Sequence, residues 1–188
     1  RVDLSEKNLI HATFTNVTSA KLCTTLENEY GVKVSTVEHL LAAFYISGID
    51  NAVVEIDNEE VPIMDGSAKD FLDILKKIDL IDLPQKRKYM KILSKIELVD
   101  GKRKILIEPN EKTFEVNFQL DYINKIIGKQ KNTIDFQKDN LDDVSSSRTF
   151  CLYEDIENLR SRGLAKGGSL ENAVVVKDDK ILNEEKLR

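Results

Sequence analysis

Glu38 and His39 stand side by side in the run Ser35-Thr36-Val37-Glu38-His39. A carboxylate beside an imidazole suits zinc-dependent hydrolysis, in which the nitrogen takes a metal position and the carboxylate takes a proton from bound water. A catalytic zinc needs about three protein ligands and one open position. The chain holds two histidines, His11 and His39, and no HExxH run. His11 lies in a polar stretch and reads as a surface imidazole. Spacing alone leaves two readings of the pair. In one, Ser35 and Glu38 form a Ser-x-x-Glu capping box and His39 is an ordinary helix residue. In the other, Glu38 is a general base and His39 a metal ligand.

The elements that must position these residues follow from patterning. Residues 21–26 alternate, with Leu22, Thr24 and Leu26 on one face, and predict a strand. Gly31 marks a turn before a short strand over 32–34. Val37, Leu40, Leu41 and Phe44 fall at helical spacing, with Ser35 as N-cap and Gly48 as the stop. Residues 52–56 predict a strand. Residues 61–67 form a loop punctuated by Pro62 and Gly66, and Ser67 caps a second helix with Phe71, Leu72, Leu75 and Ile78 as its apolar stripe. Beyond residue 89 the chain turns strand-rich, over 90–98, 104–108 and 115–122, with a turn at Asp100-Gly101. Residues 129–143 are polar and carry no clear period. A helix over 153–161 ends at Gly163, and an apolar strand follows over 173–176. These elements predict an α+β fold of two similar small domains, incomplete at both termini: 1–83, a linker over 84–89, and 90–188.

Composition narrows the function classes. With a net charge of -5 over 188 residues, nothing forces a basic face, which argues against nucleic acid as a partner. The densest basic run, Lys86-Arg87-Lys88, reads as solvated linker. Cys23 and Cys151 lie far apart and outside any CxxC pair, so a reducing, cytoplasmic setting is expected rather than a disulfide framework. No apolar run approaches the length of a transmembrane helix, and no signal peptide is expected. The opening Arg1-Val2-Asp3-Leu4 and the closing run Glu184 to Arg188 both read as cut ends.

The run from Ser35 to Ala43 resembles the zinc-dependent UDP-3-O-acyl-N-acetylglucosamine deacetylases of lipid A biosynthesis. Three further runs resemble signatures of that family, in order and at similar spacing: Val61 to Ala68, Ser147-Arg148-Thr149-Phe150, and Ser161 to Ser169 followed by Asn172 to Val176. The resemblance implies removal of an N-acetyl group from a UDP-linked, 3-O-acylated glucosamine. It implies His39 as the first zinc ligand, Glu38 as the general base and Thr149 as the hydroxyl that supports the tetrahedral oxyanion. It further implies Phe150, Ile156, Ala165 and Ala173 near an acyl-chain passage, and Lys21 and Cys23 near the substrate entrance. Plain core packing accounts for the apolar positions equally well, and Cys23 reads equally as an inert thiol. The family's remaining zinc ligands, a histidine and an aspartate in a His-Lys-x-x-Asp run, come after the stretch matched by Arg188. The zinc site is therefore expected to draw its other ligands from outside this chain, and a monomer is expected. The competing expectation is a non-catalytic remnant that serves as a ligand- or partner-binding module.

Overall fold

The computed structural model describes residues 1–184. Positions 185–188, part of the closing run read above as a cut end, lie outside the described residues. By contacts the chain falls into two compact units, Arg1–Asp79 with Asp142–Arg188, and Leu80–Leu141. The sequence division at 84–89 lies close to the first break. The difference is at the second break, because residues from Asp142 onward pack with the first segment.

In the first unit, β1 (Val17–Ser19), β2 (Thr25–Glu27) and β3 (Lys33–Val34) form an antiparallel sheet in that order. The strand expected over 21–26 is shorter and later, because Leu22 turns to φ +70° and breaks the alternation. Helix α1 (Glu38–Ile46) follows. Its end was legible: Gly48 takes φ +70°, its amide donates to the Tyr45 carbonyl at 3.1 Å, and that of Ile49 donates to Phe44 at 2.9 Å. This doubled closure satisfies carbonyls the helix leaves open. Its start was not: the N-cap is Val37, with no side-chain cap. Residues 52–56 form no strand. Val53 is 88% exposed, and the Ile56 carbonyl takes a single bond from Val2.

Helix α2 (Lys69–Leu75) packs on α1. Ala43, Ala68 and Leu72 are buried there with Ile46, Phe71 and Leu75 around them, while Ile78 is 52% exposed and outside the stripe. A second cluster, Leu26, Val37 and Val61, is closed by Ile10, Val34, Leu40, Ile56 and Phe71. Phe71 thus joins both clusters. Each fully buried side chain of the Val or Leu kind contributes about 1.5–3 kcal/mol relative to exposure.

The unit is completed by α3 (Asp142–Ser145), β8 (Phe150–Leu152), α4 (Tyr153–Ser161), β9 (Val174–Lys177) and β10 (Lys180–Ile181). Here β8 pairs parallel with β9, with α4 as the crossover, and β10 adds antiparallel to β9. Val174, Val175 and Val176 are buried, as strands covered on both faces tend to be. In the second unit, β4 (Ile96–Asp100) pairs with β5 (Arg103–Ile107), and β6 (Glu115–Asp121) with β7 (Lys129–Asp135), all antiparallel. The strand expected over 90–98 begins at Ile96, and the unassigned stretch from 129 supplies β7. Every residue of β4 and β5 is exposed, as a two-stranded hairpin has no third layer to bury a face against. The whole is an α+β fold.

Candidate functional site

Glu38 opens α1 and His39 follows it; both are half-buried. Glu38 closes no capping box. Its Oε2 accepts from the amide of Thr24 at 2.9 Å, and the Val37 amide donates to the Thr24 carbonyl at 3.4 Å. Ser35, the expected cap, is committed elsewhere. Its hydroxyl meets that of Thr25 at 3.0 Å, and its backbone bridges the strand-like residue Glu60 in parallel. The long-range bonds win because they pin the helix start to β2 and to the 59–61 segment. The outcome leaves Oε1 of Glu38 uncommitted among the described residues, beside an anchored Oε2.

The His39 imidazole has no hydrogen bond or ion pair among the described residues. No buried polar side-chain atom there lacks a partner, so its nitrogens reach solvent. A structural core histidine normally bonds through at least one nitrogen. An imidazole left open beside an anchored carboxylate is available as a ligand. Among the described residues, however, no three His, Cys, Asp or Glu side chains converge on a metal position. His39 forms no complete zinc centre with the described residues alone.

Thr149 lies just before β8. Its amide donates to the Gly66 carbonyl at 2.8 Å and its carbonyl accepts from Val174 at 2.9 Å. The residue is exposed, and its hydroxyl is uncommitted among the described residues. The Gly66 contact ties it to the loop that leads into α2. There Asp65 Oδ1 accepts from both the amide and the hydroxyl of Ser67, at 2.9 and 2.6 Å, and Ser67 Oγ accepts from Lys69 at 3.1 Å. Ser67 was expected to cap α2; the N-cap is Ala68, without a side-chain cap, and Ser67 instead receives the Lys69 amide while Asp65 closes the turn before Gly66, as an aspartate before glycine can. Gly66 takes φ +86°, and a Cβ there would lie 2.2 Å from the Asn172 carbonyl oxygen. Only glycine fits.

Arg148 is the strap that patterning missed. Nε donates to the Asp65 carbonyl at 2.7 Å, and one terminal nitrogen donates to the carbonyls of Leu170, at 3.1 Å, and Glu171. One guanidinium therefore joins the 61–67 loop to the glycine-rich loop ahead of β9. Only a rigid fork of donors does this from a single side chain.

The other predicted positions separate. Lys21 is exposed, and Cys23 is half-buried with its Sγ 3.9 Å from the Thr25 hydroxyl; both precede β2, next to the Thr24 that holds Glu38. Phe150 on β8, Ile156 on α4 and Ala173 ahead of β9 are each half-buried, and Ala165 is exposed at φ +51°. The bonds of Thr149 run to Gly66 and Val174, and none among the described residues reaches Glu38 or His39. Helices α1 and α2 are what connect them. Thr24 and Arg148 fix this arrangement through partners distant in sequence, the Thr24 amide on the Glu38 carboxylate and the Arg148 guanidinium on the carbonyls of Asp65, Leu170 and Glu171, so the family-like run around Arg148 did not reveal its strapping role.

Residues 1–188 match the sequence model of the UDP-3-O-acyl N-acetylglycosamine deacetylases. The chain is 42% identical over 169 residues to the UDP-3-O-acyl-N-acetylglucosamine deacetylase of Nautilia profundicola, covering 89% of this chain and 57% of that protein. It is 42% identical over 192 residues to that of Phenylobacterium zucineum, covering 100% and 64%, and 40% identical over 191 residues to that of Shewanella baltica, covering 100% and 62%. The chain thus spans about three fifths of the length of these curated relatives. A match across the full span, with relatives at about two fifths identity, places the chain in one group: it belongs to the UDP-3-O-acyl-N-acetylglucosamine deacetylase family.

Proposed function

We propose that this chain is part of an amide hydrolase that removes the N-acetyl group from UDP-3-O-acyl-N-acetylglucosamine in lipid A biosynthesis, in the cytoplasm. The observation that carries the reading is the anchored carboxylate of Glu38 next to the open imidazole of His39. His39 is one ligand of a zinc ion whose remaining ligands lie outside the described residues. Such an ion lowers the pKa of its water toward neutrality and polarises a carbonyl.

The chain's own residues take the following parts. Glu38, fixed by Thr24 through one oxygen, takes the proton of the attacking water with the other. The exposed hydroxyl of Thr149 donates to the oxygen that becomes negative as the carbonyl carbon turns tetrahedral. The C–N bond then breaks, acetate leaves, and the proton that Glu38 took from the water passes to the leaving amine. Lys21 and Cys23 flank the substrate entrance. Phe150, Ile156, Ala165 and Ala173 line the path of the acyl chain, where apolar surface is the matching chemistry. No helix among the described residues is long and apolar enough to cross a membrane.

The test uses the complete protein. Glu38→Ala and His39→Ala should each abolish most acetate release, and elemental analysis should show zinc lost from His39→Ala but kept in Glu38→Ala. Near-normal turnover in both variants would sink the assignment. A second reading, binding without hydrolysis, draws on the absence, among the described residues, of any three His, Cys, Asp or Glu side chains that could hold a metal. Stoichiometric zinc bound tightly by the 188-residue chain would contradict it.

A further inference from the structure

We propose that Thr36 and Glu60 are positioning residues for the Glu38–His39 pair, an inference that rests on the deacetylase reading above. Thr36 stands at φ +60°, in the left-handed region that β-branched residues avoid. It is 4% exposed, and its hydroxyl donates to Glu60 Oε1 at 2.7 Å. The backbone is held at the same place: the Ser35 amide donates to Glu59 at 2.8 Å, and the Val61 amide donates to Ser35 at 3.0 Å. The chain is thus clamped to the 59–61 segment through both main chain and side chain, immediately before α1.

The sharp turn at Thr36 carries the backbone from that bridge into the helix. One residue later Val37 meets the Thr24 carbonyl, and two residues later Glu38 meets the Thr24 amide. The direction of the turn therefore sets where Glu38 and His39 begin. A positive φ persists at a non-glycine residue only where its surroundings over-determine it. Glycine would take this conformation without strain, but it has no hydroxyl for Glu60. The strained threonine is thus the residue type that turns the chain and ties the turn down.

Kinetics on the complete protein separate positioning from mere packing. Thr36→Gly relieves the backbone strain while removing the tether. Its thermal midpoint should hold, its kcat should fall roughly tenfold to a hundredfold, as misplacement of a catalytic group does, and KM should stay within about threefold. Thr36→Ser keeps the hydroxyl and should restore most of kcat. Glu60→Ala should match Thr36→Gly, Glu60→Gln should keep the acceptor and most of the rate, and the double variant should be no worse than either single one. Wild-type kcat in Thr36→Gly, or an equal loss in Thr36→Ser, overturns the assignment while leaving the deacetylase reading intact. Absence of acetate release from the wild-type protein, or full rate in Glu38→Ala, removes the deacetylase reading and this inference with it.

Discussion

The backbone amide of Thr24 donates to Oε2 of Glu38 at 2.9 Å, across 14 positions of sequence. A neutral donor of this kind holds a carboxylate in place without neutralising it by an opposite charge. The bond also joins the segment carrying Lys21 and Cys23 to the first turn of α1. Glu38→Gln keeps an acceptor oxygen for Thr24 but removes the base. Its turnover in the complete protein should fall by about 10²–10⁴, the range expected for loss of a general base. Its stability should stay within about 0.5 kcal/mol. Glu38→Ala should lose the same activity and about 1 kcal/mol more in stability, because the amide loses its partner. Acetate release and urea unfolding of the two variants measure both effects, and an active Glu38→Gln would show that the carboxylate is no base.

Gly66 meets a backbone oxygen rather than a side chain. The Asn172 carbonyl would lie 2.2 Å from any Cβ, and the φ of +86° adds strain of its own. Gly66→Ala should therefore cost about 2–4 kcal/mol. The loop it distorts also receives the Thr149 amide, so activity should fall along with stability. An unchanged urea midpoint in this variant would contradict the close approach.

Arg148 donates to three carbonyls on two loops. A lysine has the charge but lacks the planar fork, so Arg148→Lys is not a conservative change here. It should destabilise by roughly 1.5–3 kcal/mol and open the loop around Gly167 and Gly168 to protease. Limited proteolysis followed by mass spectrometry reads the site of cleavage. Cleavage at wild-type rates would remove the strap.

How much of this was legible before the structure depends on the range of the determining contact. The helix over 153–161 is found where patterning placed it, because its closure is local: Gly163 at φ +75° returns its amide to Arg160. The same holds for Gly48. What failed was set from afar. Residues 52–56 carry strand-formers but gain one bond from Val2 rather than a ladder. Residues 129–135 lack alternation yet form β7, since their register comes from β6, from Glu115↔Asp135 to Asp121↔Lys129. The capping box at Ser35 is a sound local solution displaced by contacts to Thr24, Thr25 and Glu60. In the site, the likeness of whole runs picked out Glu38, His39 and Thr149 as candidates, and the run holding the first two includes Thr36, but the bonds that Thr24, Thr36 and Glu60 make there join positions distant in sequence and were not legible from it.

Thr149 supplies the remaining test. Its amide and carbonyl are committed to Gly66 and Val174, and its methyl faces the space a Cβ of Gly66 would enter, 3.3 Å away. The hydroxyl alone is open. Thr149→Val keeps the branched shape and both backbone bonds while deleting that hydroxyl. If the hydroxyl serves the developing oxyanion, kcat of the complete protein should drop by about 10²–10³ with KM little changed, because the donor acts on charge present only in the transition state. Thr149→Ser restores the donor and should recover most of the rate, though the lost methyl leaves its rotamer looser. Thermal midpoints of both variants should stay near wild type, since the exposed side chain contributes little to the core. A Thr149→Val enzyme with wild-type kcat would assign the hydroxyl to no step of the reaction, and would leave Thr149 as the backbone link between the Gly66 turn and β9.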